Sequence, residues 1–389
     1  MFRRLGCIAL AGLSLVAGCK NAAKVTDKPI AVDLSATERA KVDRPFAERL
    51  NRTGQEIMVC GQLYHIGAPV VLWTDPGGYD AYRTERRFAP WREASYAATT
   101  RAAATRPNIT DDAARYGLRE FDHHRQPMLT PEELERVRGG GWDLPLLQRV
   151  VDQFVMHYDV CGVSRTCFMV LHDMRGLSVQ FMLDIDGTIY QTMDLKERAW
   201  HATVSNSRSI GIEIANMGAY STKESLAPLQ QWYSKDAKGQ TYITVPERLN
   251  GGGVRVPGTY RPARNDLVVG TINGTTYRQY DLTPQQYDSL IKLTAALSVI
   301  FPQITLDYPR DAQGKLLMDQ LSPEQFDHYK GVLGHWHVQK EKQDPGPAFQ
   351  WDTVIEGARK IVGTRPKYTG PIAPPTTRPV TRPTITASR

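Results

Sequence analysis

Apolar residues recur at helical spacing from Tyr287 through Leu290, Ile291 and Thr294 to Leu297, with Val299 beyond. That period predicts a core-facing amphipathic helix. Its start is marked by Thr283-Pro284-Gln285-Gln286, which sets a hydroxyl at the N-cap, proline at the first helical position and Gln three residues after the cap. Thr130-Pro131-Glu132-Glu133 and Ser322-Pro323-Glu324-Gln325 repeat the pattern and predict two further helix starts. Elsewhere the pattern is that of strands. Phe154-Val155-Met156 is a short apolar run ending at His157, and Ile210-Gly211-Ile212-Glu213-Ile214 is a second β-rich stretch. Val179 to Leu183 leads through Asp184-Ile185-Asp186-Gly187 into Thr188-Ile189-Tyr190-Gln191, a predicted hairpin. Val268 to Ile272 and Thr275 to Tyr280 flank Asn273-Gly274, the strongest short hairpin signal. Strands followed by long helices predict an α/β (α+β) domain over residues 146–363.

Composition sets the outer bounds. The chain has 389 residues, 41% hydrophobic and 23% charged, a globular balance that excludes wholesale disorder, a coiled coil and a polytopic membrane protein. The net charge of +7 does not mark a nucleic-acid-binding face. Arg3 and Arg4 lie in an N-terminal leader, and Arg365, Lys367, Arg378, Arg382 and Arg389 lie in a C-terminal tail without acids. Setting these aside leaves a body of no formal net charge, so no nucleic-acid partner is expected.

The first residues read as an export signal, with Phe2-Arg3-Arg4 ahead of an apolar stretch from Ile8 to Val16 that is too short to span a bilayer. Val16-Ala17-Gly18-Cys19 resembles a lipobox. The resemblance implies a lipoprotein signal peptide over 1–18, a lipid on Cys19, and a membrane-anchored protein of the cell envelope. Residues 19–44 are polar and read as a tether. Residues 45–145 carry Trp73, Tyr79, Tyr82, Trp91 and Tyr96, too many aromatics for a disordered linker, and predict an ordered extension packed on the main domain, with an exposed loop over 97–107. Residues 364–389 form a basic, proline- and threonine-rich tail that cannot bury a core. Cys60, Cys161 and Cys167 are the remaining cysteines. In an oxidising compartment Cys161 and Cys167 can close a small loop, which leaves Cys60 odd and expected as a buried thiol, with its pairing to either of the others still open.

His157 ends a predicted strand, where the sites of sheet proteins gather, and His335 follows Gly334 nine residues before Asp344. Two imidazoles and a carboxylate make a three-ligand set suited to Zn²⁺, with a fourth position for water. His337 and His172 are rival ligands.

Four ordered motifs then resemble the type-2 N-acetylmuramoyl-L-alanine amidases, relatives of the peptidoglycan recognition proteins. They are Val179 to Gln191; Lys196-Glu197-Arg198-Ala199-Trp200-His201-Ala202; Asn206 with Ser209-Ile210-Gly211-Ile212-Glu213; and Gly334-His335 with Lys342-Gln343-Asp344-Pro345-Gly346-Pro347-Ala348-Phe349. The resemblance covers about 154–352. It implies a central mixed β-sheet flanked by helices and a zinc-dependent hydrolysis of the amide between N-acetylmuramic acid and L-alanine in peptidoglycan or muropeptides. By motif, His157, His335 and Asp344 match the zinc ligands, Glu213 the acid that activates water, and Lys342 the base that steadies the oxyanion. Amide hydrolysis needs that set: a water nucleophile, a proton carrier and positive charge at the tetrahedral oxygen. Trp200, His201 and Asn206 are expected to contact substrate, Trp200 by stacking on a sugar or else by filling core. Cys161 and Cys167 match the disulfide loop of the recognition proteins. Gln180 departs from the histidine common at its position, and residues 221–279 are an insertion. A monomer is expected. The alternative reading is a recognition module that binds peptidoglycan without cutting it.

Overall fold

The structure is a computed structural model that describes residues 52–82 and 116–364. The chain divides into two units, Met1–Asn51 and Arg52–Arg389, and the fold below belongs to the second. The leader, Cys19, the tether, the 97–107 loop and the tail from Arg365 lie outside the described residues.

Six strands form the main sheet: β3 (Val70–Leu72), β5 (Gln153–Tyr158), β6 (Phe181–Leu183), β7 (Ile189–Gln191), β9 (Ser209–Ile214) and β15 (Gly331–Gly334). Their order is β15-β5-β9-β6-β7-β3. The first four are mutually parallel, β7 is antiparallel to β6, and β3 is parallel to β7. The sheet is therefore mixed, and α/β is the fold class.

Side-chain alternation assigns the faces. Phe154 and Met156 of β5, Ile210, Ile212 and Ile214 of β9, and Phe181 and Leu183 of β6 join one apolar cluster. Two helices close that cluster, α5 (Pro284–Ile300) and α8 (Trp351–Thr364), with α5 contributing Tyr287, Leu290, Leu293 and Leu297. Gly357 of α8 lets Ile291 of α5 approach; a Cβ there would stand 2.9 Å from that side chain. Val299 faces solvent, and the buried stripe runs from Leu297 to Ile300 instead. The opposite face carries Val155 and Leu333, packed with Phe326 of α6 (Pro323–His328).

The three predicted helix starts all form capping boxes: Thr130 opens α1 (Pro131–Arg138), Thr283 opens α5 and Ser322 opens α6. α2 (Leu144–Val150) starts from Asp143, whose carboxylate accepts from Leu146 N. Two short helices frame the site, α3 (Ser164–Phe168) after β5 and α7 (His335–Val338) after β15.

The described parts of the extension are ordered. β1 (Glu56–Val59) and β2 (Gln62–His65) form a hairpin, β3 joins the main sheet, and β4 (Tyr116–Gly117) pairs with β8 (Arg198–Ala199). The insertion after β10 (Tyr220–Ser221) contains α4 (Ala227–Trp232), β11 (Tyr233–Lys235), β12 (Thr241–Ile243), β13 (Val268–Ile272) and β14 (Thr275–Gln279). β13 and β14 make the hairpin that Asn273-Gly274 predicted, and Asn273 has φ 48 there. No helix among the described residues is long and apolar enough to cross a membrane.

Candidate metal centre and its surroundings

β5, β9 and β15 end at one edge of the sheet, and the chemistry gathers beyond their C-terminal ends. His157 of β5 and Glu213 of β9 are register partners, so both side chains project from the face opposite α5 and α8. His335 is the first residue after β15, and Asp344 returns in the loop that follows α7. The structure brings three of these together. His157 Nδ1 lies 3.0 Å from His335 Nδ1, and Asp344 Oδ2 lies 2.9 Å from each. His157 is 2% exposed, His335 6% and Asp344 8%.

The surrounding hydrogen bonds decide which ring nitrogens carry protons. Gln339 Nε2 donates to Glu341 Oε1 at 2.8 Å, so Gln339 Oε1 is the atom that faces His335 Nε2, also at 2.8 Å. His335 Nε2–H therefore donates to Gln339, and in the neutral ring Nδ1 presents a lone pair. That lone pair is aimed at the carboxylate oxygen of Asp344. Two acceptors 2.9 Å apart repel unless a positive charge lies between them. His157 completes the set: its Nε2 sits 2.9 Å from His201 Nδ1, whose Nε2 in turn sits 3.2 Å from Ser209 Oγ. Proton donation along that chain, from His157 to His201 and from His201 to Ser209, leaves His157 Nδ1 bare as well.

This donor set fits a metal ion. Tetrahedral zinc ligands about 2.0–2.2 Å from the ion stand roughly 3.3–3.6 Å apart, so a small outward shift from the 2.9–3.0 Å spacings found would admit the ion. Burial, as the leading cause, pushes His157 down to about 4, which keeps it neutral as a ligand must be. Burial alone would raise Asp344, but the imidazoles of His335 and His157 outweigh it and hold the carboxyl well below its usual range. A carboxylate and two neutral imidazoles would hold the ion, and no fourth protein ligand is present among the described residues in this group.

Glu213 stands beside this group. Burial, then the negative charge of Asp344, raises it well above the usual carboxyl value. Its Oε2 is buried and has no hydrogen-bond partner. A half-buried carboxyl with a free oxygen is suited to taking and returning a proton. Lys342 is half-buried and its charge acts on His157, whereas Lys340 is exposed and absent from those influences.

The rival ligands are accounted for. Gly334 N donates to His337 Nδ1, and His337 Nε2 donates to Leu317 O, which occupies both nitrogens. His172 contacts Asp173 and the Ala81 carbonyl.

The structure places the three expected substrate contacts on one loop, Trp200 and Asn206 buried and His201 half-buried. Trp200 is 6% exposed, so it fills core and has no open face for a sugar. Asn206 is 4% exposed, and its Oδ1 accepts from the backbone N–H groups of His201 and Ala202 at 3.0 and 2.7 Å, so it braces the loop. His201 faces His157 and backs the metal group from behind. Its ring lies against Gly211 of β9, where a Cβ would stand 2.5 Å from His201 Nδ1. Only glycine admits that approach. Gln180 is also structural: Gly211 N donates to its Oε1, and its Nε2 donates to Glu197 O.

The structure has all three described cysteines as thiols. Cys161 and Cys167 are free thiols in the structure, in hydrogen-bonding contact with each other, and that contact, followed by burial, raises Cys167 well above its usual value. Cys60 is a half-buried thiol, pushed up to about 12 by burial.

The motif reading missed Arg119. This fully buried guanidinium carries no motif signal, and an isolated arginine in an extension reads as surface.

A family model described as N-acetylmuramoyl-L-alanine amidase matches residues 147–347, just over half of the chain. Among solved structures, the chain is similar to the Escherichia coli amidase AmiD in complex with the substrate anhydro-N-acetylmuramic acid-L-Ala-D-gamma-Glu-L-Lys. The identity is 19%, over 53% of this chain and 57% of that chain, with a TM-score of 0.29. The similarity thus spans less than two thirds of AmiD. It is also similar to the endolysin amidase LysCS of Clostridium intestinale, at 17% identity over 55% of this chain and 86% of that chain, with a TM-score of 0.28. No curated protein matches the chain.

Proposed function

The chain belongs to the N-acetylmuramoyl-L-alanine amidase family, and on that premise we propose that it is a zinc-dependent hydrolase of the amide between N-acetylmuramic acid and L-alanine in peptidoglycan or its fragments. The observation that carries the reading is the convergence of His157 Nδ1, His335 Nδ1 and Asp344 Oδ2 on one point. Zinc, when bound there, supplies a Lewis acid that polarises a carbonyl and acidifies water.

This chain's residues supply the rest. Glu213 offers its unpartnered Oε2 to the proton of the attacking water. The raised affinity of Glu213 for a proton suits it to hand that proton to the departing L-alanine amine. Lys342 places positive charge where the tetrahedral oxygen develops. His201 fixes the ring of His157 through Nε2 and so keeps Nδ1 turned to the metal position. The thiols Cys161 and Cys167 are proposed to pair in an oxidising compartment, and Cys19 to carry the lipid of an envelope protein.

The reading is tested by digesting purified sacculi and soluble anhydro-muropeptides and analysing the products by mass spectrometry. Stem peptides with a free L-alanine amine should appear beside intact glycan. Chelation should stop their release, zinc should restore it, and His335→Ala should abolish it. A protein that binds sacculi and zinc but releases no peptide is a recognition module, and the proposal fails. The anchor has its own check: Cys19→Ser should leave the membrane fraction, and unchanged partition would defeat it.

A further inference from the structure

The strand-to-strand loop from Asp194 to Ser209 carries His201, the residue behind His157. Four contacts from the N-terminal extension hold that loop, and all come from outside the family match at 147–347. Cys60 N and Gly61 N donate to the two carboxylate oxygens of Asp194 at 2.8 and 2.7 Å. Tyr82 Oη donates to Glu197 Oε1 at 3.2 Å. β4 pairs with β8. The fourth contact is Arg119, with no exposed surface.

Arg119 Nη2 donates to Leu195 O and Glu197 O at 3.1 and 2.9 Å. Its Nη1 donates to Asn206 O, Ser207 O and Ser209 O at 3.3, 2.9 and 3.0 Å. The first pair lies before His201 in the chain and the second group after it. One guanidinium therefore ties both arms of the loop, and the planar five-donor fork is the only side chain that can serve them together. Burying a cation without a carboxylate partner is costly, and burial lowers Arg119 to about 9. A fold that tolerates this cost at one position gains a fixed loop there. The loop's own braces complete the relay: Asn206 Oδ1 holds His201 N, and Ser209 Oγ holds His201 Nε2.

We propose that Arg119 is a positioning residue of the metal centre, acting through His201 to hold the imidazole of His157 in the orientation that turns Nδ1 toward Asp344 and His335. This rests on the metal reading above and assigns the N-terminal extension a role in the site.

The test is a double-mutant cycle read as zinc affinity, by competition with a chromophoric chelator, on Arg119→Lys, His201→Ala and the double variant. Lysine keeps the charge but cannot span both arms. Each single change should weaken zinc binding by about tenfold or more, the usual cost of losing a residue that orients a ligand. The double variant should be no weaker than His201→Ala, because Arg119 has nothing left to act through. Wild-type affinity in Arg119→Lys, or fully additive losses, would overturn the proposal. Should Arg119→Lys fail to fold, Tyr82→Phe removes two hydrogen bonds to the same loop, one to Glu197 Oε1 and one from Asp194 N, and must give a smaller loss that vanishes in the His201→Ala background; no loss defeats the idea. If the unaltered protein binds no zinc, the metal reading is what fails. The positioning claim is then read from amide exchange: Arg119→Lys, or Tyr82→Phe in its place, must speed exchange over 195–209 while leaving β5 and β9 protected, and uniform or absent change refutes it.

Discussion

At the scale of single residues, Glu213 separates chemistry from structure. Glu213→Gln keeps the shape of the side chain and removes its ability to carry a proton. It should retain zinc and fold while turnover on sacculi falls by about 10²-fold or more, the usual loss for a positioned general base. Wild-type turnover in that variant would sink the mechanism. Lys342→Ala should lower the rate and spare zinc, and Lys340→Ala, exposed and two residues earlier, should do little. Equal losses from the two would defeat the choice of Lys342. The atoms that converge were legible as motifs, since His157, His335 and Asp344 each occupy a recognisable local setting. The roles of their neighbours were less legible, for a physical reason. Trp200, His201 and Asn206 lie within seven residues of each other on one loop, and sequence proximity to a site does not say which side chains turn outward. Only the folded loop shows that Asn206 turns back on His201 N and that Trp200 is buried, while His201 stays half-buried against His157.

At the scale of elements, the caps were the most legible feature because a capping box is local: the hydroxyl, the proline and the Glu or Gln act within one turn. Their weights differ by context, which sequence does not show. Ser322 caps α6 at an exposed start, and Ser322→Ala should cost about 1 kcal/mol. Thr283 is fully buried, and its Oγ1 both accepts from Gln286 N and donates to Ile185 O at 2.8 Å. Thr283→Ala loses the cap and strands a buried carbonyl, so roughly 2–4 kcal/mol is expected from the two effects together. Denaturant unfolding of the two variants checks the order, and equal costs would refute it. The insertion shows the same limit. Asn273-Gly274 announced a hairpin, but not that its tip reaches a distant loop. Asn273 Nδ2 donates to Lys340 O and Lys342 O at 3.0 and 3.3 Å, and Gln279 of β14 accepts from Ala348 N and donates to Pro345 O. The insertion thus braces the segment that carries Lys342 and Asp344.

At the scale of the whole molecule, buried ionisable groups set the pH range of stability. Burial, as the leading cause, raises Asp184 to about 8 and Glu197 to about 7. Such a carboxyl keeps its proton in the folded state at pH values where the unfolded chain, near an ordinary 4, has already released it. The folded state then binds more protons than the unfolded one, so stability falls as pH rises between about 4 and 8. The buried imidazoles act in the opposite sense. Burial lowers His157 to about 4 and His337 to about 3, so the unfolded chain binds the extra protons between those values and about 6.5, and stability rises with pH over that range. The two effects oppose each other below about 6.5; above it the carboxyls lead, and the raised thiols add a loss of the same sign only near pH 8.5. The metal-free protein should therefore lose thermal stability from pH 6.5 to 8.5. Asp184, with no exposed surface, is the natural probe. Asp184→Asn mimics the protonated form and has no proton to lose. Its melting temperature should exceed that of the wild type at pH 8.5 and nearly equal it at pH 5. Parallel melting curves for the two proteins across this range would show that Asp184 is already ionised in the fold, and the assignment of the alkaline loss to buried carboxyls would fall with it.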